Sequence, residues 1–553
     1  MMLRPTCLLL TALLPMSIAS AALAADDHTS SKAWGDTFIP FGESAKRDHP
    51  PLTPTMIPGG IDEAHARNLN ATGAVPSPLL AQQSPYRAVD AYRQYVAYQN
   101  AGAPATLAGW SAQDWQEYGR KFEGSVLSED GFDPAQRVRV RQFYATGPVR
   151  FINEQGRVLF EGYNAFISDR AVLRTGAFLF TLEPELRLHN TTRTAYDASF
   201  DARTGIPAGY GQSMDRNGLQ LMEATAQVDI YGAHLTVGRQ PLVWGPGYHQ
   251  QLLLSANAAP MWMGHLTSSE PMALPGSAAK LGYFSPELFV ARMGYDRPTP
   301  HLLMTGIRLG WQASDALKLG INLTTTLGGK GHGINAGDML FAFTSEKDSF
   351  SNTTQDQKCT ADISFLSPWK NVPFEAYAEV GWETRGRWSE AVKLKKGWVQ
   401  PACIVGTHLP NLDKDGMLSA TLEYGYSDAA WYTTNRPAPA GDSAYLYKGV
   451  PIGAPMGGDA DSYFAELRAK LSAGTEAFVS TNFERHGVTS APVTEALWET
   501  KVGADVSLGR SLNMMHGWHG EASIAWNSWK NFQGARGNSE EGVAVGFGIR
   551  RGF

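Results

Sequence analysis

A short motif of aromatic residues and glycines near the middle of the chain is the best candidate for binding chemistry. Trp244 and Tyr248 flank the sequence Gly245, Pro246 and Gly247. The two glycines permit a tight turn, which leaves the aromatic side chains little conformational entropy to lose. Aromatic faces can cover the apolar C–H side of a sugar ring. The motif therefore predicts a carbohydrate-binding loop.

Polar side chains beside this motif could hydrogen-bond to sugar hydroxyls or to an acidic sugar. They are Arg239, Gln240, His249 and Gln250. A second interpretation is that the loop folds inward and Trp244 packs inside the protein as a plug residue. The two interpretations are compatible if the outer surface of such a plug binds the sugar.

Catalytic chemistry has little support in the sequence. His249 with Ser255 or Asp229 could belong to a hydrolase site, but no spacing singles out a pair of carboxylates. His516 and His519 stand in an H-x-x-H arrangement for which we identify no further metal ligands. The sequence predicts no enzyme, no metal site and no cofactor.

Composition places the motif in a particular class of protein. The chain has 553 residues, 18% of them charged, with a net charge of −6 and no basic stripe, which argues against a nucleic-acid partner. It contains 57 Gly, 32 Pro, 24 Phe, 15 Trp and 20 Tyr. Beyond the first 24 residues no apolar run approaches the roughly 18 residues of a transmembrane helix. These features are typical of a large antiparallel barrel.

The N-terminal region predicts export. A positive start, an apolar stretch and a small-residue cleavage site make residues 1–24 a signal peptide. Residues 25–83 are predicted to be an extended or disordered arm, and 84–135 to form short amphipathic helices that dock as a plug at the periplasmic mouth. A separate helical domain is the alternative. Residues 136–171 connect this region to the rest, with room for one or two strands.

From residue 172 onward the pattern predicts a closed antiparallel β-barrel of the outer membrane, spanning 172–553. Side chains alternate between apolar and polar, as in residues 178–189. We count sixteen strands, including 277–284 and 288–296, with a turn at 285–287 between them. Short turns alternate with long connections at 240–276, 328–357 and 426–462, as in barrels that have short periplasmic turns and long outer loops.

The last strand and the cysteines add two expectations. Val543, Val545, Phe547, Ile549 and the terminal Phe553 share one face, a pattern that resembles the C-terminal signal of outer-membrane barrels. Cys359 and Cys403 remain after the signal peptide is removed, and in an oxidising compartment they are predicted to form a disulfide. Two unlinked thiols are the alternative.

Several segments resemble the Wzi-type capsule-assembly family. The first is residues 238–248 with its Trp-Gly-Pro-Gly-Tyr element, followed by 252–255 and 258–260. In the expected order come the Gly-Gly-x-Gly loop at 327–331 and the segments 447–449, 451–453 and 456–459.

The resemblance implies an eighteen-stranded outer-membrane barrel closed by helices and loops. It also implies a surface lectin that retains capsular polysaccharide or exopolysaccharide. The partners of such a protein are the polysaccharide, outer-membrane lipid and the polysaccharide-export machinery. A diffusion porin, or an outer-membrane hydrolase acting on polysaccharide or lipid, is the alternative function. The predicted binding residues are Arg239, Trp244, Gly245, Pro246, Gly247, Tyr248, Tyr447, Lys448 and Asp459.

Overall fold

The computed structural model of the chain describes most residues from 131 onward. The described ranges are 131–133, 138–175, 178–190, 217–230, 233–268, 272–294, 299–314, 316–342, 356–367, 373–383, 401–413, 417–429, 431–432, 445–448, 450–472, 475–489, 495–508, 518–532 and 536–551. The predicted signal peptide, the extended arm, the amphipathic helices up to residue 130 and the terminal Phe553 lie outside these residues.

Within the described residues, eighteen antiparallel strands form one closed barrel. Each strand pairs with the next along the chain, and the first also pairs with the last, so the sheet has no open edge. The strands, numbered β1 to β18 in chain order, are Arg139–Ala145, Gly162–Ser168, Phe178–His189, Gly218–Ile230, Ala233–Gln240, Met261–Ser268, Tyr283–Arg292, Leu303–Gln312, Leu317–Leu327, Asp356–Leu366, Glu375–Glu383, Ala402–Leu409, Leu418–Ser427, Ala460–Ser472, Thr475–His486, Glu495–Ser507, Trp518–Lys530 and Ser539–Arg551.

Short strands and helices lie at the two ends of the barrel. On the periplasmic side, the strand Gly131–Asp133 pairs with Ala171–Thr175, which pairs in turn with β3. Met272–Ala273 pairs with β7 and precedes the 3-10 helix Gly276–Leu281. Among the outer connections are the helix Ala336–Phe341 and a small hairpin made by Leu446–Tyr447 and Val450–Pro451.

No helix among the described residues is long and apolar enough to cross a membrane.

The outer surface of the barrel is apolar and its interior is polar, as the alternation in residues 178–189 predicts. On β3, Thr181, Glu183, Glu185 and Arg187 are buried inside. The exposed side chains of that strand are Phe178, Phe180, Leu182, Leu186 and Leu188. Phe547 of β18 is 65% exposed on the same outer surface. A closed barrel with this exterior confirms the predicted outer-membrane fold.

The count of sixteen strands is two short. The segments 277–284 and 288–296 do not form two strands, because 276–281 is helical and β7 continues through the predicted turn. Pro286 suggested a break, but it lies where β7 changes partner from Met272–Ala273 to β6, so its missing N–H interrupts neither pairing.

Three barrel strands escaped the count. β1 and β2 lie within 136–171, and β6 lies inside the predicted outer loop 240–276. In β6 the inward residues Met261 and Met263 are as apolar as the outward residues Trp262 and Leu266. Both faces are apolar only over residues 261–263, and this hides the period of two that marks a barrel strand in the first part of β6; farther along, the inward residues His265 and Thr267 are polar.

The predicted disulfide is wrong. Cys359 of β10 lies opposite Trp382 of β11, while Cys403 of β12 lies opposite Val380 of that same strand. One whole strand therefore separates the two cysteines, which places them about 9.5 Å apart across the sheet. A disulfide needs Cα atoms within about 7 Å. Both thiols are buried and neither is oxidised to a disulfide.

We expect reduction to leave the stability of the barrel unchanged, because no covalent link is broken. The thermal unfolding midpoint of the purified protein should be the same with and without dithiothreitol. After denaturation without reductant, mass spectrometry should find both Cys359 and Cys403 alkylated by N-ethylmaleimide. A midpoint that falls on reduction, or thiols that resist alkylation until they are reduced, would contradict this assignment.

Candidate functional site

The connection between β5 and β6, residues 241–260, folds into the barrel. All of its residues are buried except Tyr248, which is half-buried. Surface loops rarely bury their backbone in this way. Two other outer connections pack against it, namely 146–161 and the described residues of 445–459. We call these three segments together the plug.

The plug has an apolar core that continues into the barrel wall. Trp244 is 0% exposed and packs edge-on against Phe289 of β7, with ring centroids 5.2 Å apart. Other plug residues in this core are Leu242, Leu252, Leu253, Leu254, Tyr445, Tyr447, Ile452 and Met456. The wall contributes Met263, Met304, Tyr377, Ala402, Ile404 and Ala460. The outer part of the lumen is therefore filled by a hydrophobic core, as the inward-folding interpretation predicts.

Backbone hydrogen bonds join the three plug segments. Trp244 and Leu254 form an antiparallel bridge, with 2.9 Å between the Trp244 N and the Leu254 O. Ser255 N donates to Ile452 O at 2.9 Å, which ties 241–260 to 445–459. Gln155 N donates to Ala256 O at 2.7 Å, which ties it to 146–161. These bonds satisfy amides that cannot reach water.

Glutamates of the barrel wall satisfy other plug donors. Glu423 Oε2 of β13 accepts from the Tyr248 N at 2.8 Å and from the His249 N at 3.2 Å, and Glu379 Oε2 of β11 accepts from the Leu252 N at 3.0 Å. Glu287 Oε2 of β7 accepts from Trp244 Nε1 at 3.1 Å. Sequence reasoning missed these glutamates, because lumen-facing carboxylates are ordinary in a barrel. The only signal in the sequence was that each glutamate stands at a position whose side chain points into the barrel.

The two glycines of the motif are required by the fold of the loop. Gly245 has a φ of +121°, in the left-handed region, and a Cβ there would approach Glu379 Oε2 to 2.6 Å. A Cβ on Gly247 would collide with the Gln250 carbonyl oxygen. This geometry agrees with the predicted tight turn around Pro246.

The turn directs its two aromatic residues to different parts of the wall. Trp244 faces β7, as described above. The half-buried Tyr248 stacks on His408 of β12 at 4.5 Å and donates its hydroxyl proton to Glu375 Oε2 of β11 at 2.9 Å. The structure therefore does not join Trp244 and Tyr248 into one exposed platform, and the surface of Trp244 is occupied by packing.

Most other predicted site residues also make structural contacts. Arg239 Nε donates to Pro260 O at 3.0 Å, and Gln250 Nε2 donates to Ser462 Oγ at 2.9 Å. Tyr447 is buried in the plug core.

Lys448 and Asp459 lie nearer the solvent than these residues, and both are half-buried. Lys448 occupies the turn of the small hairpin with a φ of +52°, and its Nζ lies 6.0 Å from the centroid of the Tyr447 ring. Asp459 Oδ1 accepts a hydrogen bond from the Thr489 N at 2.7 Å.

Charged residues anchor the plug segment 146–161 to the wall. Arg150 Nη1 donates to Glu484 Oε2 at 2.7 Å, and Arg157 Nε donates to Glu185 Oε2 at 2.7 Å. Glu154 Oε2 accepts from Arg141 Nη1 at 2.7 Å.

Glu154 is held in its charged form. Burial by itself would raise the pKa of Glu154, but Arg141, Arg139 and Arg157 outweigh it and lower that pKa to about 2. Glu154 therefore stays ionised at neutral pH and holds the segment through its ion pair with Arg141.

The structure brings together no hydrolase pair at His249. Ser255 Oγ donates to the Gly453 carbonyl oxygen at 2.7 Å, so its proton points away from the imidazole. The His249 ring stacks on Phe464 with centroids 4.0 Å apart. Neither the side chain of Asp229 nor His516 belongs to the described residues. Within those residues no group of three metal-ligating side chains occurs.

We expect Trp244→Ala to destabilise the plug. Removing a buried tryptophan leaves a cavity and should lower the free energy of unfolding by about 3–5 kcal/mol. The loosened plug should also raise ion conductance in planar bilayers. The lipid-facing Trp526→Ala serves as the control and should change neither quantity by a comparable amount. Unchanged stability and conductance in Trp244→Ala would show that the plug does not depend on this core.

Acid should weaken the plug anchor at Glu154. Its folded pKa of about 2 lies below its ordinary value of 4.5, so its stabilising contribution is complete above about pH 4.5 and is lost as the pH falls toward 2. In acid titrations of the unfolding midpoint, Glu154→Gln should flatten the decline in this window. Glu541→Gln, at an exposed position outside the plug, should keep the wild-type slope. Equal slopes in all three proteins would contradict the assignment.

Comparisons with known proteins agree with this architecture. The family model "Capsule assembly protein Wzi" matches residues 135–542. The solved structure of Escherichia coli Wzi, described as a carbohydrate-binding β-barrel of the outer membrane involved in group 1 capsule assembly, matches with a TM-score of 0.64 and 14% identity, covering 91% of this chain and 99% of that one. No curated protein matches the sequence significantly.

Porin structures match less well. OprD of Pseudomonas aeruginosa has a TM-score of 0.43 and 11% identity, with 76% of this chain and 93% of that chain covered. A BenF-like porin from Pseudomonas fluorescens has a TM-score of 0.45 and 10% identity, with 76% and 99% covered. Scores this low do not support a shared function. The family match spans well over half of the sequence, and the chain belongs to the Wzi capsule assembly protein family.

Proposed function

We propose that this protein is a non-catalytic, lectin-like protein of the outer membrane that binds secreted capsular polysaccharide or exopolysaccharide and retains it at the cell surface. Membership of the Wzi family supports this proposal, as does the similar fold of a carbohydrate-binding barrel. The polymer would contact the outer ends of the loops above the plug. The barrel itself would lie in outer-membrane lipid, beside the polysaccharide-export machinery.

The apolar core of the plug is the observation that favours retention over diffusion. A diffusion porin keeps a polar, water-filled lumen. Here Trp244, Leu252 and Leu254 pack against wall residues such as Phe289, so a solute would have to displace a hydrophobic core to pass. The occluded lumen therefore favours retention of polymer over diffusion of solutes.

The predicted binding residues then fall into two roles. The first role is to shape and hold the plug, which sets the position of the surface above it, and it belongs to Arg239, Trp244, Gly245, Pro246, Gly247, Tyr248 and Tyr447. Lys448 and Asp459 retain solvent contact and are our candidates for direct contacts with the polymer. Lys448 is suited to hydrogen-bond hydroxyl or carboxylate groups of a glycan.

Loss of the protein should move polymer from the cell surface into the medium while total synthesis stays constant. The measurement is the ratio of cell-bound to released polysaccharide in a deletion strain and in the complemented strain. The purified protein should bind the polymer and show little conductance in planar bilayers. A porin would give the opposite result, with high conductance and an unchanged ratio, and a hydrolase would release shortened products.

Lys448→Glu should weaken polymer binding about 10- to 100-fold, because a charge-assisted hydrogen bond is worth about 1.5–3 kcal/mol. Lys280→Glu is the matched control, since Lys280 is exposed at the periplasmic end of the barrel. Both variants undergo the same change of charge, and the control should bind like the wild type. Equal affinities for the two variants would remove Lys448 from the contact surface.

A further inference from the structure

Four aromatic side chains form a continuous row on the lipid-facing surface, near the outer ends of β13 to β16. Each lies directly opposite the next in the register of the sheet. Successive ring centroids are 5.1, 6.4 and 5.5 Å apart, within the roughly 4.5–7 Å range of favourable aromatic pairs. The four residues, which we call the aromatic ladder, are Tyr424, Tyr463, Phe483 and Trp498.

The aromatic ladder marks the level at which lipid tails meet lipid head groups. On its periplasmic side the outward residues include Leu467, Val479, Val502 and Ile524, all exposed and apolar. Tyrosine and tryptophan favour the membrane interface, because each has an apolar ring with a polar group at its edge. Outer-membrane barrels carry girdles of such residues at both interfaces. The outward residues just beyond the ladder therefore lie at the depth of the head groups of the outer leaflet.

Two cationic side chains occupy that depth on either side of a small residue. Arg485 of β15 and Lys530 of β17 both lie opposite Ala496 of β16 in the register of the sheet. Two strand spacings, about 9.5 Å, separate their backbones. The short side chain of Ala496 leaves room between the two cations, and Trp498 lies two residues closer to the membrane on the same strand. We call these four residues the rim site.

Arg485 is held in position by its neighbours while part of it stays exposed. Its Nε donates to Asp461 Oδ1 at 3.0 Å, and its Nη2 donates to the second oxygen of that carboxylate. Its guanidinium carbon lies 5.9 Å from the centroid of the Tyr463 ring. The side chain is nevertheless 38% exposed, whereas that of Asp461 is 6% exposed. A guanidinium that is fixed and partly exposed is well suited to bind a phosphate group.

The surroundings of the rim site also favour an anion. Lys530 is exposed and forms no ion pair within the described part of the chain. The connections 487–494 and 531–538, which join the outer ends of these strands, contain no Asp or Glu, and the second adds the exposed Arg536. Glu541 of β18 is an exposed carboxylate nearby, one outward position closer to the membrane than Lys530. Positive charge therefore predominates on the described part of this surface.

We propose that the rim site binds the phosphorylated head group of an outer-leaflet glycolipid. Arg485 and Lys530 donate hydrogen bonds to one phosphate from its two sides, and Trp498 packs against the adjoining sugar ring. The acyl chains lie along the apolar surface on the periplasmic side of the aromatic ladder. This site goes beyond the proposed function, because it lies on the outside of the barrel and involves neither the plug nor the retained polymer.

The test is native mass spectrometry of the full-length protein in detergent micelles, titrated with diphosphoryl lipid A. The matched probe is the same lipid after removal of its phosphates, which keeps the sugars and the acyl chains. The wild type should bind the phosphorylated lipid at least about tenfold more tightly, because charge-assisted hydrogen bonds to the phosphate are lost with the matched probe. The titration contains no polysaccharide, so its result is independent of polymer retention.

Variants of the two cations test the rim site itself. Lys530→Gln should weaken binding of diphosphoryl lipid A about 3- to 10-fold. Arg485→Gln combined with Asp461→Asn should have a similar effect, and this pair leaves no buried carboxylate without its counter-ion. Arg292→Gln is the matched control, since Arg292 is an exposed outward residue at the outer end of β7, opposite Trp262. It should bind like the wild type.

Tryptophan variants form a second matched pair. Trp498→Ala should weaken binding, whereas Trp262→Ala should not, although the two side chains are similarly exposed at 48% and 50%. Heat-modified migration in gels verifies that each variant has folded. Equal affinity for the two lipid probes would overturn the proposal, as would wild-type affinity in the variants of Lys530 and Arg485. Equal weakening by Arg292→Gln would also overturn it, because binding would then be general charge attraction. A surface that instead served a protein partner would leave the lipid affinity of all variants unchanged.

Discussion

The buried backbone of residues 241–260 is the constraint on which the structure depends. A twenty-residue connection that enters a barrel must find a partner for every amide that leaves water. Part of this requirement is met by bonds to the other plug segments, and part by Glu379 and Glu423 of the wall. Once the backbone is satisfied, Trp244 and its apolar neighbours can fill the outer lumen. The satisfied backbone and the apolar core together occlude the outer lumen.

The plug divides the interior into regions of different character. Toward the outside, Leu252 and Leu254 lie in an apolar core that excludes water and solutes. Toward the periplasm, the walls carry paired charges and enclose a cavity beside His249. The Trp-Gly-Pro-Gly-Tyr motif lies at the boundary, since Trp244 belongs to the core and Tyr248 lines the cavity. One short motif therefore contributes both to the occlusion of the barrel and to the wall of this cavity.

The sequence allowed the fold to be predicted wherever one face of a strand is apolar and the other polar, as in β3. It failed at β6, whose first inward residues Met261 and Met263 pack on the plug and are apolar as well, and at β7, where Pro286 resembled a turn. The disulfide was wrong because pairing Cys359 with Cys403 requires a strand register that the spacing of cysteines does not reveal. The tight turn at Gly245 was predictable from the local Gly-Pro-Gly sequence. The strands that Trp244 and Tyr248 contact depend on how the barrel closes around the loop.

The outer loop 241–260 should be as firmly structured inside the barrel as the strands around it. Hydrogen–deuterium exchange in detergent micelles or nanodiscs tests it most directly, since protection reports the free energy of local opening. The amides of Trp244, Leu252 and Ser255 should exchange as slowly as amides in the middle of β10 or β11. Exchange of these three amides at the rate of a solvated loop, while the strands stay protected, would contradict it.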